Sequence, residues 1–114
     1  MITVSKDQPL KHYQWGNGCD GWNFVDSPAL SVKQERMPAG TAEALHYHRH
    51  AQQFFFLLKG EASFEVEEKH ILVKENEGLH IEPGTKHRII NHTQTDIEFI
   101  LASQPSAAGD RYNI

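Results

Sequence analysis

Only one cysteine, Cys19, occurs in 114 residues, so no intrachain disulfide can staple this chain. A lone thiol fits a reducing cytoplasm. Long apolar runs are missing as well, and nothing approaches the roughly 20 residues that cross a bilayer. The opening MITVSKDQPLKHYQW lacks the basic-then-apolar layout of a secretory leader. Clustered Lys and Arg are scarce, and 11 basic against 15 acidic residues leave a net charge of −4. That balance argues against nucleic acid or an anionic membrane as partner. No stretch keeps a 3.6-residue apolar period over three turns, which removes helices as the organising element. The expectation is one cytoplasmic domain, long enough to bury a core without staples.

What the chain does have is histidine. There are eight, and six fall between positions 46 and 87, among them His46, His48, His50, His80 and His87. In a strand, residues two apart share a face. His46 and His48 would therefore aim two imidazoles at one point, with Tyr47 on the opposite side. Neutral imidazole is the commonest protein ligand for transition metals, so Gly40–Gly60 reads as half of a metal site.

Short apolar segments separated by turn signals fill the rest. Leu30–Met37 looks extended, and neither of its faces is cleanly apolar. Glu43–His48 and Gln53–Leu58 follow the Pro38–Gly40 turn. Ala62, Phe64 and Val66 then alternate with Ser63, Glu65 and Glu67, a clear period of two. Glu68-Lys69 is the next turn candidate, and His70–Lys74 the next strand. The 75–78 turn leads to Leu79–Glu82, and Pro83-Gly84 is a strong turn pair. His87–His92 and Asp96–Ala102 complete about nine strands, too closely spaced for helical crossovers. An all-β antiparallel sandwich or barrel is expected.

The flanks read differently. Residues 1–29 look like an irregular lead-in with short extended pieces, Ile2–Val4 as an edge strand, and Trp15 and Trp22 as plugs at one end of the core or as pocket wall. Residues 30–102 hold the barrel. The tail 103–114 is small and polar and carries no signal for order.

A short strand, the Pro-Gly turn and then His87 would return a third imidazole toward the first pair. With Gln53 that makes three nitrogens and an amide oxygen, a set suited to a divalent first-row ion. Here the sequence resembles the cupin family. Gly40, five residues, His46-Tyr47-His48, four residues, Gln53, six residues and Gly60 match the spacing of the first cupin motif, with Gln53 where the family has Glu. Asn76, Glu82-Pro83-Gly84, His87 and Asn91 keep the spacing of the second, with Asn76 for Gly and Glu82 for Pro.

The resemblance covers residues 30–102. It implies a double-stranded β-helix (jelly-roll) barrel, a homodimer, and one divalent transition metal ion per chain (Mn, Fe, Ni, Zn or Cu) held by His46, His48, Gln53 and His87. Gln53 leaves the ion its full charge, which weakens binding or favours an anionic ligand. Tyr47, Phe55, His80 and Glu82 are candidate substrate contacts. Glu35, Arg36 and Arg88 are candidate polar lining, against ordinary surface pairing, and His50 is an alternative ligand or a loop residue. Function follows as a metal-dependent enzyme on a small oxygen-rich molecule, with oxygenase, isomerase or cyclase chemistry. The alternative is a module that binds a sugar or organic acid without turnover.

Overall fold

The computed structural model describes residues 2–114. Eleven strands run in order: β1 (Lys11–Trp15), β2 (Cys19–Asp26), β3 (Ser31–Met37), β4 (His46–Tyr47), β5 (Gln52–Lys59), β6 (Ala62–Val66), β7 (Lys69–Val73), β8 (Gly78–Ile81), β9 (His87–Ile90), β10 (Ile97–Gln104) and β11 (Tyr112–Asn113). No helix occurs among the described residues. One sheet has the order β1-β2-β3-β10-β5-β8 and the other β11-β4-β9-β6-β7, and every pairing is antiparallel. The all-β antiparallel expectation holds.

Alternation builds the core. Along β5, Gln53, Phe55 and Leu57 are buried while Gln52, Phe54 and Leu58 face outward. Ala62 and Phe64 of β6, Ile89 of β9 and Ile97 and Phe99 of β10 meet them between the sheets. Phe55 packs edge-on against Phe64 at 5.0 Å between ring centres. On β3 the buried residues are Ser31, Glu35 and Met37. The ambiguous strand therefore points its Glu35 face inward, which its composition did not disclose.

Turns follow backbone chemistry. Gly60 has φ +77, and a Cβ there would come within 2.9 Å of Ile97 Cγ2, so the β5–β6 corner requires glycine. Asn76 adopts φ +65, a left-handed conformation that asparagine tolerates better than most residues. That explains why the second motif survives without its glycine. Asn91, fully buried, donates Nδ2 to the carbonyls of Met37 (2.9 Å) and Thr95 (2.8 Å) and accepts from the Thr93 N–H. Its job is to hold the 91–95 turn.

Several expectations are corrected. Ile2–Val4 forms no strand; residues 11–26 instead make a hairpin that extends the larger sheet. Trp15 does pack against the core, as one of its two readings had it, while Trp22, also buried, stacks on His12. The β6–β7 turn is Glu67-Glu68, both at positive φ, one place earlier than read. Glu43–His48 pairs as strand only at His46–Tyr47. The C-terminal tail is not loose: β11 pairs with β4, and Ile114 N–H donates to Leu45 O.

Candidate metal centre

The three histidines arrive from two strands and one loop. His46 pairs directly with His87 across β4–β9, and His48 follows two residues on, returning to the same face. All three are buried, and their ligand atoms lie within 4.8 Å of one another. Ring centres are 4.4 Å apart for His46–His87, 5.0 Å for His46–His48 and 5.5 Å for His48–His87.

Backbone carbonyls fix the tautomer of each ring. Nδ1 of His46 donates to Ala44 O at 2.7 Å, Nδ1 of His87 to Thr85 O at 2.7 Å, and Nδ1 of His48 to Asp110 O at 2.8 Å. With the proton on Nδ1, each Nε2 carries a lone pair. His48 Nε2 is buried with no hydrogen-bond partner. His87 Nε2 lies 3.2 Å from Gln53 Oε1, whose amide is oriented by donating Nε2–H to Ser103 Oγ at 2.9 Å. Two acceptors thus face each other, an arrangement that calls for a cation between or beside them. Leaving a buried polar atom unpaired costs about 1–3 kcal/mol. The donor set therefore fits a metal ion, which can accept all these lone pairs at once.

Burial removes the proton competitor. Loss of solvent pushes His46 down to about 3 and His87 to about 4, and lowers His48 as well. The rings are neutral, as metal ligands must be.

The tail completes the site. Asp110, buried, accepts from the N–H groups of Arg49 (2.8 Å), His50 (2.9 Å) and Ala51 (3.0 Å). Burial alone would raise its pKa, but those three donors outweigh it and hold the carboxyl below its usual value. One residue thus pins the loop after His48 with its side chain and orients the His48 ring with its carbonyl. Gly84 N–H donates to His48 O at 2.7 Å, tying the Pro-Gly turn to the same loop.

A cavity of about 440 Å³ adjoins the centre, lined by His46, His48, Gln53 and Phe55. Tyr13, Glu35 and Glu43 supply polar wall, and Lys11, Lys33 and Arg111 bring positive charge. Ser106, Ala107 and Ala108 close one side. Burial lifts Glu43 to about 7, with Arg111 at 3.6 Å pulling the other way.

Of the candidate contacts, Phe55 reaches the cavity. Tyr47 does not; it stacks on Tyr112 at 5.2 Å. His80 is exposed and bonded to Gln52 at 2.9 Å, and Glu82 is exposed. All three stand on the outward side of the alternation. His50 is exposed in its loop. Arg88 pairs with Glu65, and Arg36 with Asp20 and Asp96, away from the cavity. Tyr13, Asp110 and Arg111 are brought near the histidines only by the tertiary fold, and Glu43, three residues before His46, carries no motif that marks it.

Comparison with known proteins agrees with the fold. A family profile described as "Cupin domain" matches residues 33–103. An uncharacterized protein of Methanocaldococcus jannaschii is 24% identical over 83 residues, 73% of this chain and 66% of that protein. An oxalate-binding protein of Thermotoga maritima is 29% identical over 65 residues, covering 57% of this chain and 54% of that one. The match therefore spans less than two thirds of either relative's length. Among solved structures, KdgF from Halomonas superposes with a TM-score of 0.84 at 15% identity, over 95% of this chain and 98% of that one. At that identity the likeness is one of fold.

Proposed function

This chain belongs to the cupin family, and from that premise we propose that it is a metal-dependent enzyme acting on a small, oxygen-rich organic acid. One divalent transition ion (Mn, Fe, Ni, Zn or Cu) would be held by His46, His48, His87 and Gln53. The observation that carries the reading is the convergence of three buried histidines whose ligand atoms lie within 4.8 Å of one another, with His87 Nε2 3.2 Å from Gln53 Oε1 and His48 Nε2 lacking any protein partner. A bound ion would polarise a substrate oxygen as a Lewis acid, or support oxygenation if redox-active.

The chain's own groups suit an anionic ligand. Lys11, Lys33 and Arg111 line the cavity alongside Asp26, Glu35 and Glu43, and these cations can pair with a carboxylate. Phe55 presents an apolar surface that excludes water beside the histidines. Because His46, His48, His87 and Gln53 are all neutral, charge balance is left to the ligand, and an acid supplies it. Oxygenase, isomerase and cyclase chemistry all start from an acid held this way, and fold alone does not choose among them. We place the protein in the cytoplasm as a homodimer; Phe54 and Leu58 expose 44% and 39% of their surface on the outer face of the larger sheet, which supports self-association.

A second reading, a binding module without turnover, is favoured by the name of the Thermotoga maritima relative, an oxalate-binding protein. Elemental analysis of protein purified without an affinity tag tests the metal: about one transition ion per chain is expected. No metal, together with full stability of the His46/His48/His87→Ala triple variant, overturns it. Incubating metal-loaded protein with oxalate and related acids then separates enzyme from module, since a module returns every acid unchanged.

A further inference from the structure

Glu35 is an expensive residue to bury. It lies on β3 at 8% exposure, and its side chain opens into the cavity beside the histidines. No Lys or Arg forms an ion pair with it; the partner it has is Tyr13, whose O–H donates to Oε2. Among the described residues Oε1 has no hydrogen bond to protein. A carboxyl removed from water without a cation in contact destabilises the fold, and nothing in the packing requires an acid here.

The Tyr13 contact is built with equal specificity. Tyr13 sits on β1 and Glu35 on β3, with β2 between them. In register, Tyr13 faces Gly21 and Gly21 faces Glu35. A Cβ at Gly21 would lie 2.0 Å from Tyr13 Cζ and 2.3 Å from its Oη. The missing side chain lets the tyrosine ring lie flat across the middle strand and reach the acid beyond. Lys33 Nζ stands 5.5 Å over the same ring. Burial pushes Glu35 above the ordinary carboxylate range, while the Tyr13 hydrogen bond, Lys33 and Arg111 pull it part of the way back. Asp26 and Glu43 are the other carboxyls lining this cavity, and the charge of Glu35 helps raise Glu43. Tyr13 itself is raised, by burial first and by Glu35 second, so it stays a donor.

We propose that Glu35 is the general acid–base of this cavity and that Tyr13 is its positioning residue. The assignment rests on the enzyme reading above. The step is a proton transfer beside a carbonyl. A substrate C–H bond breaks, its electron pair passes through carbon to the carbonyl oxygen as an enolate, and the proton goes to Glu35 Oε1. The reverse step returns a proton to carbon and restores the carboxylate, which Tyr13 O–H stabilises.

Two measurements on wild type, Glu35→Gln and Tyr13→Phe test this. The first is a carbon-13 titration of the glutamate carboxyls, with Glu35→Gln identifying the Glu35 signal. Glu35 should titrate above free glutamate (about 4.3) and move higher still in Tyr13→Phe. The second is hydrogen–deuterium exchange of the pyruvate methyl group by zinc-loaded protein in heavy water, followed by proton NMR with zinc content measured in each sample. Exchange should fall about a hundredfold in Glu35→Gln, and less in Tyr13→Phe, at unchanged zinc. Ordinary titration of Glu35, exchange as fast in Glu35→Gln as in wild type, or no exchange above zinc in buffer with zinc bound, overturns the assignment. If zinc fails to load, the exchange is run with the ion that elemental analysis finds; if no ion loads, the metal reading falls, and exchange by the metal-free protein, expected to be lost in Glu35→Gln, decides the Glu35 assignment.

Discussion

Replacing Gln53 by Glu should move the stability of the metal-free and metal-loaded protein in opposite directions. In the metal-free protein a carboxylate at position 53 would face His87 Nε2, at the place where Gln53 Oε1 now stands 3.2 Å away. Burial holds the His87 proton off to about pH 4, so the new charge is only partly neutralised. Ser103 Oγ, which now accepts from Gln53 Nε2, can turn its hydroxyl to donate and recover one bond. The expected net cost is about 1–3 kcal/mol, the size of an imperfectly paired buried polar group. For a domain of this size that lowers the melting temperature by roughly 4–12 °C.

With metal the sign reverses. A unit charge pair 4 Å apart at an effective dielectric of 20 gains about 4 kcal/mol, and a divalent ion doubles it. Desolvating the carboxylate returns several kcal/mol. A net of about 3 kcal/mol is left, or roughly a hundredfold tighter binding. Competition against a chelator of known affinity reads the constant, and melting with and without excess chelator reads the two stabilities. An affinity for metal that is unchanged or weaker in Gln53→Glu would show that Oε1 takes no part in binding the ion, and the coordination argument fails.

Other predictions concern the groups around the centre. Asp110→Ala removes the acceptor of three N–H bonds, one buried and two part-buried; it should cost about 3 kcal/mol in urea unfolding and weaken metal binding about 10–100-fold by loosening His48. Because the folded Asp110 carboxyl is held below its ordinary value, its contribution is complete above about pH 4 and fades as pH falls through the folded pKa. Urea midpoints of wild type and Asp110→Ala should therefore converge in acid, and a constant gap would contradict the reasoning. Glu43 runs the other way: raised to about 7, it favours the folded state below about pH 4, an advantage lost as pH rises through 7. Glu43→Gln keeps an acceptor for Ile89 N–H and should flatten that slope, which unfolding at pH 5 and 8 would reveal. Phe54→Lys, on the exposed face of β5, should shift the protein from dimer to monomer in sedimentation without lowering metal content; an unshifted species places the interface elsewhere.

Much of this was readable from spacing. A period of two in Ala62–Val66 and the Gly-Pro-Asn punctuation depend on local sterics, so strands and turns could be read within a residue or two. The displaced β6–β7 turn and the unread N-terminal hairpin have local causes as well. Glu67-Glu68 adopts positive φ at both residues without the Asn or Gly that normally announces it, and β1, at the sheet edge, exposes Lys11, His12 and Gln14, so no long apolar alternation marks it.

The His-x-His pair, Gln53 and His87 were legible because each sits at a fixed offset from a turn that the chain itself specifies. Alternation then requires His46 and His48 to share a face. Local pattern has no access to what lies across a sheet or comes from the far end of the chain. That Glu35 rather than Gln34 faces inward was decided by β10 packing on β3. Tyr13 meets Glu35 only because β2 lies between them and carries glycine where they cross. Asp110 orients His48 from 62 positions away, in a tail whose sequence resembles a linker. Those choices belong to tertiary structure because burial is a property of neighbours, and the neighbours here are set by strand order.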